Sequence, residues 1–171
     1  MPKLRSARRV KFTLNGESRT LEIGRLSHQV EPSHTLLYTL RETLGLMGTK
    51  LTCDNGACGC CTVLMDGKAV LSCMLLTVEC GGTTVTTIEG LKDRDTGMLD
   101  PLQQSFIDHT AFQCGFCTPG IIMSAKALLN GNRSPTEDQV KEALSGNFCR
   151  CISHYQVVQA VLAVSEGGAS P

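Results

Sequence analysis

Eight of the ten cysteines in this 171-residue chain fall into two sets whose spacing suits metal chemistry. The first reads Cys53-Asp-Asn-Gly-Ala-Cys58-Gly-Cys-Cys61, with Cys73 following after eleven intervening residues. Taken as Cys53, Cys58, Cys61 and Cys73, this is C-x4-C-x2-C plus a fourth cysteine, the plant-type ligand spacing for a [2Fe–2S] cluster. A cluster held by four thiolates is anionic and calls for backbone N–H donors aimed at its sulfurs. Gly56 and Gly59 let the chain wrap closely enough to supply them. The second set is Cys114-Gly-Phe-Cys117 and Cys149-Arg-Cys151, a C-x2-C and a C-x-C with 31 residues between them. Each pair stands just before a predicted helix, so two positive helix ends would face the anionic centre. Four thiolates so placed suit either an iron–sulfur cluster or structural zinc, although C-x4-C-x2-C and C-x-C are both awkward spacings for zinc. Cys60 and Cys80 break the spacing and are expected as buried free thiols.

Other chemistry is missing from the chain. His28, His34, His109 and His154 show no ligand spacing. There is no GxGxxG element, Walker loop or GxSxG elbow, and no pairing of nucleophile with base. Such a chain moves electrons rather than making or breaking bonds. Sixteen basic residues balance sixteen acidic ones, so no global field favours nucleic acid. Locally, Lys3, Arg5, Arg8, Arg9 and Lys11 form a basic start without an acid, and the remainder holds eleven basic and sixteen acidic residues, a net −5. Arg8-Arg9 is not followed by the apolar stretch of an export signal, and no run is long enough for a membrane span. With so many cysteines better used as metal ligands than as disulfides, a reducing, cytoplasmic location is expected.

The segments that must position these cysteines differ between the two halves. Val10 to Glu22 alternates around Asn15-Gly16, a hairpin signal, and Thr62–Met65 with Lys68–Leu71 repeats it around Asp66-Gly67. Leu36, Leu37, Leu40 and Leu44 predict a helix within Ser33 to Leu46, and Thr83–Ile88 a final β-branched strand. Past Glu89-Gly90 the signals turn helical. Asp100-Pro101-Leu102-Gln103 and Ser134-Pro135-Thr136-Glu137 combine an N-cap, a first-turn proline and a reciprocal cap. Thr118-Pro119 reads as a cap with proline, and Ser153-His154-Tyr155-Gln156 as a box without one. The expected architecture is α+β: a basic tail over 1–7, a ferredoxin-like β-grasp domain over 8–90, a four-helix domain over 91–166 and a short tail over 167–171. Domains of this size hold small cores, so a metal staple in each makes physical sense.

The two motifs, in this order and over roughly residues 8 to 165, resemble the small iron–sulfur subunit of the molybdenum hydroxylases, the xanthine oxidase family. The stretches that carry the resemblance are Gly48-Thr49-Lys50, Cys53 to Val63, Thr86 to Leu91, Gln113 to Gly120, Ser134-Pro135-Thr136 and Gly146 to Cys151. The resemblance implies a plant-type [2Fe–2S] domain followed by a helical [2Fe–2S] domain. It implies a large partner subunit carrying a molybdenum-pterin cofactor, a medium one carrying FAD, and assembly as a dimer of heterotrimers. Cys114, Cys117, Cys149 and Cys151 would bind the cluster nearer molybdenum, and Cys53, Cys58, Cys61 and Cys73 the one nearer FAD. Gln113 and Cys151 match positions that approach the pterin. The chain departs from the pattern at Cys60, where the family often has Ala. It departs again at Ile152-Ser153-His154-Tyr155, where many relatives have Thr-Gly-Tyr. The helical site is expected to be the more buried of the two.

Overall fold

The computed structural model describes residues 8–165; the tails expected over 1–7 and 167–171 lie outside them. Five strands form one mixed sheet in the order β2-β1-β5-β3-β4, followed in the chain by a run of helices. β1 (Arg8–Leu14) and β2 (Glu17–Ile23) pair antiparallel across Asn15 and Gly16, both at positive φ, the geometry of a two-residue hairpin turn. β3 (Thr62–Met65) and β4 (Lys68–Leu71) do the same across Asp66-Gly67. β5 (Thr84–Thr86) lies between the two hairpins, parallel to β1 and antiparallel to β3. Alternation puts Val10, Phe12, Leu14, Val63 and Val85 on one face, where they pack with Leu36, Leu40 and Cys80.

Two sheet-half elements are shorter than their hydrophobic pattern predicts. Only Leu36–Thr43 of the Ser33–Leu46 segment is helical: α1 (Leu36–Tyr38) and a wide turn over Thr39–Thr43. Residues 34–36 are drawn off to pair with Leu75–Thr77, through Leu36 N–H to Leu75 O (2.7 Å) and Thr77 N–H to His34 O (3.0 Å). At the other end the bonds stretch to Leu44 N–H→Thr39 O and Leu46 N–H→Leu40 O, and Gly45 at φ +70° stops the coil. The last strand ends at Thr86 because Thr87 bonds sideways, its N–H donating to Asn15 Oδ1 at 2.8 Å.

In the second half, α2 (Pro101–Asp108) begins with the predicted reciprocal box: Leu102 N–H donates to Asp100 Oδ1 and Asp100 N–H to Gln103 Oε1. Other starts move. α3 (Thr118–Gly131) is capped by Cys117 rather than Thr118, with no side-chain cap bond. α4 (Glu137–Ala143) is boxed by Thr136 and Gln139, because Asn132 Oδ1 takes the N–H of Ser134 and holds that residue in the preceding turn. α5 (His154–Ala163) follows Ser153, whose side chain makes no cap bond. Leu102, Phe106, Ile121, Val140, Val157 and Val161 form the helical core. Cys60, from the sheet half, packs into it. The halves meet where α3 lies on β3, and Gly120 permits it: a Cβ there would sit 2.2 Å from Gly59 O and 2.9 Å from Cys60 Cα. Among the described residues, no helix is long and apolar enough to cross a membrane.

Candidate metal centres

The first cysteine loop is tied down on both sides. Arg41 donates to Met47 O and Thr49 O ahead of it, and Lys50 N–H reaches Cys60 O. Behind it, Ser72 donates both its N–H (3.3 Å) and its hydroxyl (2.7 Å) to Cys61 O, which fixes Cys73 beside Cys61. Gly59 turns at φ +72°, and its carbonyl accepts from the Thr62 N–H and hydroxyl. Cys53 and Cys58 are half-buried and hydrogen-bonded to each other. Cys61 and Cys73 are buried and likewise paired. The N–H of Asn55, then the Cys58 thiol, hold the Cys53 thiol down at about 6. Burial, then the neighbouring Cys61, pushes Cys73 up to about 12.

The second set comes together from the two ends of the helical half. Cys114 Sγ and Cys151 Sγ lie 3.8 Å apart, while Cys117 and Cys149 form a second bonded pair. Burial, then Cys149, pushes the Cys117 thiol up to about 12. Burial also raises Cys149, but the N–H of Ile152, whose contact with the sulfur is 3.3 Å, and the Cys117 thiol outweigh it and leave it lowered. The Cys114 thiol raises Cys151. Contrary to the expectation from sequence, this is the less buried of the two sites in the chain itself: Cys114 and Cys151 are exposed, whereas none of the first four is. The reason is local. Cys114 and Cys151 lie in loops outside α3 and α5, and the described residues leave both exposed.

Four cysteines per set, at spacings awkward for a single zinc ion, suit a binuclear iron–sulfur centre. Each set supplies four thiols, the number that two irons with two thiolates each require. Thiols as reluctant to ionise as Cys73 and Cys117 become thiolates when a cation binds them. The residues therefore fit [2Fe–2S] clusters. Cys60 and Cys80 are buried free thiols; burial raises Cys60, and burial with Glu79 nearby pushes Cys80 up to about 11. His109 bonds Ser105 and His34 stacks on Tyr38, away from both sets. Gln113 is exposed beside Cys114. Reading spacing alone missed Gly120 and buried Asn147, which join the two loops. The signal for Asn147 was its place in the stretch Gly146 to Cys151 that carries the family resemblance, just ahead of the C-x-C pair.

Fold and site together define a two-centre iron–sulfur protein built to carry electrons. Comparison with known proteins agrees in both halves. A 2Fe-2S iron-sulfur cluster binding domain matches residues 12–79, and a [2Fe-2S] binding domain matches residues 87–162. The nicotine 6-hydroxylase small subunit of Paenarthrobacter nicotinovorans is 48% identical, over 87% of this chain and 84% of that one. The nicotinate dehydrogenase small FeS subunit of Eubacterium barkeri is 40% identical over 89% and 91%. In a solved quinoline 2-oxidoreductase from Pseudomonas putida 86, one chain superimposes with a TM-score of 0.83 at 40% identity, covering 92% of each. The chain belongs to the small [2Fe–2S] subunits of the molybdenum hydroxylase family. It is an electron-transfer subunit of an oxidoreductase.

Proposed function

We propose that this subunit passes electrons from a molybdenum-pterin centre on a large partner subunit to FAD on a medium one, in a dimer of such heterotrimers in the cytoplasm. The observation that carries the reading is the pair of four-cysteine sites on touching loops, one with all its cysteines at least half-buried and the other open at the surface. Cys114, Cys117, Cys149 and Cys151 hold the cluster on the molybdenum side, within a four-helix domain over 91–166. Cys53, Cys58, Cys61 and Cys73 hold the one on the flavin side, within a ferredoxin-like β-grasp domain over 8–90. Bound there, each [2Fe–2S] cluster takes up and releases one electron at a time. The protein contributes the thiolates, the N–H donors of Asn55 and Ile152, and the exclusion of water from Cys61, Cys73 and Cys117.

The open side of the helical site has the character of a docking face. Phe116, Phe148 and Tyr155, all within a few residues of the site's cysteines in sequence, are 48%, 64% and 69% exposed. Large exposed aromatics are what protein interfaces bury. Gln113 and Cys151 then face the pterin across that interface. The test is metal analysis of the complex purified anaerobically from its host. The expected result is four iron and four sulfide per chain (about two of each per centre), two S = 1/2 EPR signals on reduction, and copurifying molybdenum and flavin. A colourless chain carrying stoichiometric zinc, or a chain with two clusters but no partner, would overturn the reading.

A further inference from the structure

The two cysteine sets are joined sideways by two consecutive residues. Phe148, immediately before Cys149, donates its N–H to the carbonyl of Cys58 at 3.0 Å. Asn147, one residue earlier, is buried and donates from Nδ2 to the carbonyl of Gly59 at 3.1 Å. Two neighbouring residues beside one set thus bond two neighbouring residues of the other. The clamp is anchored, because the Asn147 N–H is itself held by Leu144 O, at the end of α4, at 2.9 Å. It also has no slack: a Cβ on Gly59 would sit 2.5 Å from Gly146 O and 2.6 Å from Asn147 Nδ2.

A side-chain amide is an expensive choice for this position. Burying it costs free energy unless it is hydrogen-bonded, and an apolar side chain would fill the space without that cost. Nor does Gly59 O need the bond, since Thr62 already donates to it twice. What the amide adds is direction: it locks the register of residues 146–149 against residues 58–59.

Resting on the two-cluster reading, we propose that Asn147 is a positioning residue for electron transfer between the clusters, holding the Phe148 N–H on the carbonyl of Cys58. The contact it maintains is the shortest bonded link between the sets, running from Cys58 through one hydrogen bond to Phe148 and its neighbour Cys149. The step moves one electron from the helical site to the sheet site, oxidising the first and reducing the second; no bond forms or breaks and no proton moves.

The test uses the purified holo complex with N147D, which keeps the shape but loses the donor, and N147A, which removes the side chain. Three quantities are read: iron and sulfide content, the magnetic splitting between the two reduced clusters in low-temperature EPR, and hydrogen exchange of the peptide containing Phe148. Both variants are expected to keep wild-type iron and sulfide and the g-values of each centre. The splitting narrows, and the Phe148 amide exchanges about tenfold or more faster. Unchanged splitting and exchange in both variants would overturn the proposal. So would loss of the helical-site iron in both, which would make Asn147 a residue of the fold instead. A wild-type complex with iron for only one cluster would sink the two-cluster reading itself, whatever the variants do.

Discussion

Gly120→Ala and Gly131→Ala place the same methyl group at the two ends of α3 and should act in opposite directions. At Gly120 the added Cβ would come within 2.2 Å of Gly59 O, 2.9 Å of Cys60 Cα and 3.0 Å of Cys60 C. All three are backbone atoms, so no rotamer change relieves the overlap. α3 must back away from the loop that carries Cys58 and Cys61, or that loop must shift. Overpacking in well-packed cores costs about 1–3 kcal/mol, and contact with backbone on both sides points to the upper end. For a chain of this size about 3 kcal/mol lowers the melting temperature by roughly 6–12 °C. At Gly131 a Cβ meets nothing within 4 Å, so Ala gains helix propensity and stabilises by about 0.5 kcal/mol at this terminal position. The assay is thermal unfolding of the holo chain followed in parallel by far-UV circular dichroism and the visible absorbance of the clusters. A Gly120→Ala protein that keeps full iron and melts within about 1 °C of wild type would refute the claim that the halves are locked through this contact.

Cys117→Ser should abolish the EPR signal of the helical centre and leave that of the sheet centre, because the two sets share no cysteine; loss of both signals would contradict separate sites. Cys80, fully buried and pushed to about 11 from 9.0, should react with iodoacetamide about 100-fold more slowly at pH 8 than an ordinary thiol, and rapidly once the chain unfolds. Because the folded value is the higher one, its contribution to stability is complete below pH 9.0 and is lost as pH rises through about 11. Cys80→Ser should remove this alkaline limb from a pH series of denaturant melts; an unchanged limb would assign it elsewhere. Tyr155→Glu should weaken recovery of the molybdenum subunit by about 30-fold, the scale of an interfacial aromatic hot spot, without loss of iron, and undiminished recovery would remove the helical face from the interface.

The cysteine chemistry was legible in the sequence because ligand spacing is a local property. Four thiols within a short loop and hairpin can be read as one set without knowing the fold. Both hairpins were legible for the same reason, since Asn15-Gly16 and Asp66-Gly67 dictate their own turn geometry. Errors arose where a distant segment competed for local bonds. Leu75 and Thr77 take the start of the predicted 33–46 helix, and Asn15, by accepting from the Thr87 N–H, ends the last strand at Thr86. Cap assignments slipped by one or two residues because Cys117 and Thr136, rather than Thr118 and Ser134, occupy the boundary positions. Gly120 and Asn147 fell within stretches that carry the family resemblance, but their roles were not legible, for a related reason. Each acts across the join between the halves, on Gly59 and its neighbours, at 61 and 88 residues' separation.

The misjudged burial of the helical site is the most informative error. Paired helix starts suggested an enclosed centre, yet the pair Cys114 and Cys151 is left open, while the pair Cys117 and Cys149 is drawn inward toward Cys60 and the helical core. Each of the two sites therefore has a more buried and a less buried side, and the loops that carry the two sets are brought together by the Phe148–Cys58 contact and the Gly120 approach. A centre that only stabilised its own domain would gain nothing from an outer pair left at the surface, close in sequence to the exposed Phe116, Phe148 and Tyr155. A centre that must exchange electrons with another chain gains a short route out, and its surroundings become dry only when that chain is in place. Because solvent exposure is one of the terms that sets cluster potential, the helical site should shift its midpoint on assembly much more than the sheet site, whose Cys61 and Cys73 are already buried. Redox titration of the isolated chain against the complex would read this directly, and equal shifts at the two centres would argue that the open face is not where the partner sits.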